Sequence, residues 1–226
     1  MNPSCPRCRK PADLCVCASA RRLPCPLRVL VLQHPQEPDH EIGSAWLATE
    51  CLENGRLKVG LSWPNLTKAW GEPVDASRWG VLHLGSGPKG PAPAGMPLFA
   101  VDKKGVPLES DAAAARLAKL EGVIVLDGTW SQAKTLWWRN AWLLKLQRLM
   151  LSPKHPSLYR ELRREPRREC LSTLESIAEI LEARGHSPEA VAHLRASFGD
   201  LLSRYRRRRN APKAPKTPAS PAGNAT

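Results

Sequence analysis

Apolar residues in this chain gather into short runs, and glycine, proline and asparagine separate one run from the next. LRVLVLQ at 27–33 and VIVL at 123–126 have the length and β-branched content of strands buried on both faces. Shorter runs at 57–63, 80–84, 97–102 and 148–151 are further strand candidates. Between them the apolar spacing changes to three and four. Ile42, Ala45, Trp46, Ala48, Thr49 and Leu52 predict a helix stopped by Asn54 and Gly55. DAAAARLAKLE at 111–121 predicts another, stopped by Gly122, and a third is expected over 131–145. From 157 the pattern stays helical through SLYRELRREP, CLSTLESIAEILEARG and a last stretch at 187–206. This alternation predicts an α/β domain with a mainly parallel sheet and helices on both faces. It occupies residues 25–206, between a cysteine-rich segment at 1–24 and a basic tail at 207–226 whose Pro and Ala content predicts disorder.

With 226 residues and 42% hydrophobic content, the chain can bury one core plus a small satellite. Its apolar runs fall well short of the roughly 20 residues that a membrane span needs, so no membrane partner is expected. MNPSCPRCRK lacks the apolar region of a secretory signal, which makes the cytoplasm the expected compartment. The formal net charge of +13 suits a polyanion, with nucleic acid the first candidate. Part of that excess is local, because residues 204–220 hold seven Lys and Arg and no acid.

Cys5, Cys8, Cys15 and Cys17 crowd into the first seventeen residues, while Cys25, Cys51 and Cys170 are scattered. In a reducing compartment, close thiolates at two-residue spacing point to one tetrahedral structural Zn ion. The second pair is C-x-C, which departs from the commoner C-x-x-C spacing. A partly disordered leader with redox-sensitive thiols is the plainer reading.

The run at 123–126 stops abruptly in Asp127, Gly128, Thr129 and Trp130. Parallel sheets bind ligands beyond the carboxyl ends of their strands, where loops and helix N-termini gather polar groups. Glycine permits close backbone approach, threonine can cap the next helix, and the indole offers a flat face. The same residues also suit a purely structural role, with Asp127 as helix cap and Trp130 in the core, and residue chemistry alone leaves both open.

LDGTWSQAK resembles the D-x-T-W-x-x-A signature of the DTW-domain family, aminocarboxypropyltransferases that modify uridine in tRNA and are related to the knotted SPOUT-like enzymes. The resemblance runs from Cys5 to about Ile180. It takes in the cysteine cluster, LVLQHPQE at 30–37, LHLGSG at 82–87, SLYRELRREP and CLSTLESIAEIL. It implies a SPOUT-like trefoil knot among the C-terminal strands and loops. It also implies S-adenosylmethionine as co-substrate, tRNA as partner, and transfer of the 3-amino-3-carboxypropyl group to uridine N3 with release of methylthioadenosine. Carried over by position, Leu84, Gly85, Ser86, Gly128, Thr129, Trp130, Leu171, Ser172, Thr173 and Glu175 would line the cofactor pocket. Asp127 would be catalytic, assisting loss of the N3 proton or orienting the nucleotide. Where the family pattern has an arginine after the first strand, EIGSAW has Trp46.

Arg160, Arg163, Arg164, Arg167 and Arg168 suit RNA phosphates, or equally a solvated helix paired with Glu161, Glu165 and Glu169. Arg206, Arg207, Arg208 and Arg209 have no acidic neighbours along the chain, which favours a sequence-blind grip on RNA. Trp137, Trp138 and Trp142 recur at helical spacing and read as core. His34 ends the first strand and suits either nucleotide contact or a structural role, and the remaining histidines show no ligand spacing. Two rival functions remain: a noncatalytic zinc-ribbon RNA-binding or ribosome-associated protein, and an RNA methyltransferase on the same scaffold.

Overall fold

The computed structural model describes residues 4–38, 40–82, 92–108, 110–153, 156–159, 162 and 171–211. Six strands, β1 (Arg28–Gln33), β2 (Gly55–Val59), β3 (Trp79–Leu82), β4 (Leu98–Val101), β5 (Gly122–Asp127) and β6 (Gln147–Leu151), form one sheet in the order β2-β1-β5-β3-β6-β4. Every neighbouring pair is parallel except β4, which runs antiparallel along β6 at one edge. The mainly parallel α/β architecture is therefore as the alternation predicts.

Successive side chains on a strand point to opposite faces, and in β1 and β5 both sets are apolar. Val29, Val31, Val123 and Val125 enter one cluster together with Leu47 of α1 (Ala45–Glu50), Ile177 of α5 (Thr173–Ala183) and Phe198 of α6 (Pro188–Asn210). Leu30, Leu32, Ile124 and Leu126 enter a second, with Trp70 of α2 (Leu66–Trp70) and Leu136 of α4 (Trp130–Arg139). Helices thus cover both faces, while α3 (Asp111–Ala118) lies against β4. Gly122, opposite Trp79 in the β3–β5 register, has no room for a side chain: a Cβ there would stand 2.4 Å from the Trp79 ring.

The cysteine-rich segment shares this core, since Leu14 and Val16 are buried in the cluster formed by α1, α5 and α6. The knot implied by the resemblance concerns C-terminal loops whose residues 154–155, 160–161 and 163–170 lie outside the described part.

Of the expected elements that end early, α3 stops at Ala118 and α1 at Glu50, and a single residue cuts two others short. The helix predicted over 131–145 stops at Arg139, and a 3-10 turn follows at Ala141–Lys145. Asn140, fully buried, donates from Nδ2 to the carbonyl of Leu136 at 2.7 Å, the acceptor that its own backbone N–H would take in a continuing helix. The same amide donates to the Leu61 carbonyl at 3.0 Å, and Oδ1 accepts from the Trp63 N–H at 2.8 Å. Those bonds turn residues 61–63 away from the sheet, so β2 ends at Val59 instead of continuing to 63. Helix α2 is too short to show an apolar period of its own; Asn65 caps it and Gly71, at φ 105°, ends it. At the other end of the chain, α6 continues to Asn210, past the boundary drawn at 206.

Replacing Asn140 by Ala would strand three backbone groups without their partner. A loss of about 3 kcal/mol is expected, given about 1–3 kcal/mol for each unsatisfied buried group and partial relaxation. A shifted urea midpoint with an unchanged slope would show it, and a shift below a fifth of that size would mean that the junction repacks.

Candidate functional site

A small open pocket of about 70 Å³ lies beyond the carboxyl ends of β1 and β5, lined by Glu37, Gly43, Ser44, Asp127, Gly128, Tyr159, Leu171, Ser172 and Thr173. Its place at the strand ends matches that of small-molecule sites in open α/β sheets.

Asp127 is the last residue of β5 and stands opposite Gln33, the last of β1. The Gln33 side-chain amide donates to Asp127 Oδ2 at 2.8 Å. Thr173, the first residue of α5, donates its hydroxyl to Oδ1. One carboxylate therefore joins two strand ends and a helix N-terminus, where the helix dipole favours negative charge. Asp127 does not cap α4. That role belongs to Thr129, which forms a reciprocal capping box with Gln132, so the structural reading of Asp127 as helix cap is excluded. Gly128 makes the turn between them at φ 155°, where a Cβ would meet that of Gln132 at 2.9 Å.

The loop from Glu37 to Ser44 forms the opposite rim and is held from three directions. Lys10 reaches out of the cysteine-rich segment and donates from Nζ to the carbonyls of His40, Glu41 and Gly43 at 3.0–3.1 Å. Lys10 is buried, and desolvation pulls its pKa down to about 8. The hydroxyl of buried Tyr159 donates to the Ile42 carbonyl at 2.8 Å, with the ring set edge-on against Phe198. Arg208, near the end of α6, pairs with Glu41 at 2.9 Å and with Asp13 at 3.5 Å. Ser44 then accepts a bond from the Leu174 N–H, which ties the rim to α5.

Beneath the segment that Lys10 anchors, the sulfurs of Cys5, Cys8, Cys15 and Cys17 all lie within 4.8 Å of one another. Cys5 and Cys17 are 3.7 Å apart and Cys8 and Cys15 are 3.8 Å apart. A tetrahedron with metal–sulfur bonds of about 2.3 Å has edges of about 3.8 Å, so the four residues could hold a metal ion and the spacing fits Zn. Backbone N–H groups of Cys8 and Arg7 aimed at Cys5 pull its thiol down to about 6. Burial pushes the Cys8 and Cys17 thiols up, which a bound cation would reverse.

Of the predicted cofactor-pocket residues, the fold brings Gly128, Leu171, Ser172 and Thr173 together around Asp127. Thr129 is occupied in capping, and Trp130 is 39% exposed outside the pocket, so it is not a core residue either. Glu175 is buried behind the wall, where it accepts from the Ser157 hydroxyl and from the N–H groups of Leu158 and Ser172. Leu84, Gly85 and Ser86 lie outside the described residues, as do Arg160, Arg163, Arg164, Arg167 and Arg168. His34 accepts from the Gln36 N–H at 3.3 Å and does not line the pocket.

The C-terminal arginines gain partners that their neighbours in sequence could not reveal. Arg208 has its two acids, and Arg206 donates to the Leu158 carbonyl at 3.3 Å. Trp138 corrects another expectation: it is 75% exposed, whereas Trp137 and Trp142 pack against the α2–α4 core. Trp46 is partly buried, with the Arg7 guanidinium 5.8 Å from its ring centroid. Sequence reasoning missed Gln33, Glu37, Ser44, Tyr159 and Lys10. For Gln33 alone a signal existed, a polar residue ending an apolar strand.

Replacing Lys10 by Ala leaves three rim carbonyls without their donor. A stability loss of about 1–3 kcal/mol is expected, with faster amide exchange over residues 40–44 and no change in metal content. Unchanged exchange in that loop would mean that Tyr159 and Arg208 hold it alone.

A sequence model of the DTW domain matches residues 2–206. Among curated proteins, the chain is 27% identical over 200 residues to tRNA-uridine aminocarboxypropyltransferase 2 of Macaca fascicularis, a match covering 84% of this chain and 60% of that protein. The Mus musculus protein of the same name is 27% identical over 187 residues, covering 79% and 55% respectively. The Drosophila melanogaster protein is 27% identical over 195 residues, covering 82% and 68%. The chain thus spans little more than half the length of the two mammalian relatives. No solved structure matches it at a significant level. With the family model covering nearly its whole length, and with the motif aspartate at the heart of the pocket, the chain belongs to the DTW domain family.

Proposed function

We propose that this protein transfers the 3-amino-3-carboxypropyl group of S-adenosylmethionine to N3 of a uridine in tRNA, with methylthioadenosine leaving. The observation that carries the reading is the Asp127 carboxylate, held between Gln33 and Thr173 on the pocket wall, in a chain whose curated relatives carry the name of that activity. The sulfonium of the co-substrate would supply the activated carbon. The chain's own task is then alignment and removal of one proton. Gly128, Leu171, Ser172 and Thr173 would hold the co-substrate, together with Leu84, Gly85 and Ser86.

The nitrogen–carbon bond forms as the carbon–sulfur bond breaks, and the imide proton must leave N3. Each Asp127 oxygen accepts one bond from the protein and keeps a further lone pair, so the group can accept that proton or a hydrogen bond from the base. Its two fixed partners make orientation the larger part of its contribution. The tRNA would reach the pocket over a basic surface that includes Arg207 and Arg209, with Arg206 and Arg208 also tied to the fold. We assign the four-cysteine cluster to Zn with a structural role, because it packs behind the pocket rim and not in the pocket.

Incubation of the protein with S-adenosylmethionine and unmodified tRNA is expected to yield an aminocarboxypropyl uridine in nucleoside mass spectrometry. A methylated nucleoside instead would favour the methyltransferase, and no product together with no heat on titrating S-adenosylmethionine would favour a noncatalytic RNA-binding protein. Asp127→Asn keeps the shape and removes the charge, so a loss of about 100-fold or more in rate is expected with little change in unfolding temperature. Full activity in that variant would remove Asp127 from the chemistry. Metal analysis of the purified protein is expected to give about one Zn per chain, and Cys8→Ser should lower that value and the unfolding temperature together. Metal-free protein of undiminished stability would rule out the structural centre.

A further inference from the structure

Helix α4 leaves the pocket loop directly, with Gly128 in the pocket wall and Thr129 as its cap. Its inner face, Ala133 and Leu136, is buried, and Trp137 packs inward with the Arg148 guanidinium 5.6 Å from its ring centroid. Its outer face carries Trp130, Lys134, Trp138 and Arg139, all exposed. Trp138 is 75% exposed, the largest value among the exposed large apolar side chains of the described residues. Residues four apart advance by about 40° around a helix, so Trp130, Lys134 and Trp138 form a gently winding stripe. It spans about 12 Å at 1.5 Å per residue.

A bare indole contributes nothing to the core and is disfavoured in water, so its exposure asks for a partner. The charge around it limits the choice. Helix α4 itself holds no acidic residue, and its exposed face carries Lys134 and Arg139. Among the described residues neither Lys134 nor Arg139 has an acidic partner. Flat aromatic faces alternating with unpaired cations are what unpaired nucleotides bind, bases by stacking and phosphates by charge. Paired bases hide their faces in the duplex stack and could not use the indole.

We propose that the outer face of α4 is a platform for the unpaired tRNA nucleotides next to the reacting uridine, with Trp138 stacking on a base and Lys134 and Arg139 contacting phosphates. The proposal rests on the tRNA reading above and adds where the substrate lies and in what form: single-stranded, running from the pocket mouth along the helix.

The test uses the full chain, labelled tRNA and two RNA oligonucleotides, one single-stranded and one duplex. Trp138→Ala is expected to weaken tRNA and single-stranded RNA binding roughly 5- to 150-fold, the range for losing one base stack. Duplex binding and the unfolding temperature should stay as in the wild type, and Trp138→Phe should recover most of the affinity. Equal losses on duplex and single strand would overturn the stacking role. Unchanged RNA affinity in Trp138→Ala would overturn the platform, and a shift from dimer to monomer in sedimentation alongside it would assign the face to self-association. A wild-type protein that binds no tRNA would defeat the functional reading itself, a result separable from the others because it appears without any substitution.

Discussion

The site depends on the pairing of β1 with β5. That register sets Gln33 beside Asp127 at the carboxyl edge of the sheet, and the amide then occupies one carboxylate oxygen while Thr173 occupies the other. A slip of one residue would turn the alternate side chains to the opposite face and send Asp127 away from both partners. Such a slip would also exchange the valine and leucine sets between the two clusters, so the packing of both faces protects the position of one polar group. A pocket built in this way is stiff where it meets the sheet. Its opposite rim is loop and needs separate support.

That support comes from three parts of the chain far apart in sequence. Lys10, Tyr159 and Arg208 reach the loop at 37–44 from the cysteine-rich segment, from the region before α5 and from the end of α6. Arg204 donates to the Cys15 carbonyl, and Arg7 and Arg22 both pair with Glu50 at the end of α1. The exposed ion pairs contribute little individually. The buried ammonium of Lys10 on three carbonyls differs, because loss of the donor would leave those carbonyls unsatisfied. A metal in the four-cysteine cluster would accordingly govern the pocket at a distance, by fixing the segment from which Lys10 projects.

The surface leading out of the pocket completes this arrangement. Helix α4 begins at the loop that presents Asp127, so one element both positions the pocket wall and displays cations and indoles along the route away from it. With no acid among its residues, α4 itself adds only positive charge to that surface.

Periodicity and spacing by themselves determined the α/β class, all six strands, the place of the Asp127 loop at a strand end and the four-cysteine cluster. Each of these is a local property, readable from residues within a turn or a strand of one another. The partners of Asp127 stand 94 and 46 residues away in the chain, and only the register of β1 and the docking of α5 bring them to it. The same holds for Arg208, whose acids come from a segment nearly two hundred residues earlier and from the pocket rim. Trp138 and Asn140 make the point in opposite senses. An indole at helical spacing faces water because α4 turns its neighbour inward, and a polar amide sits in full burial because three backbone groups from two segments converge on it. Side-chain exposure and long-range hydrogen bonds are set by how elements rotate and dock against one another, and no single element's pattern contains that information.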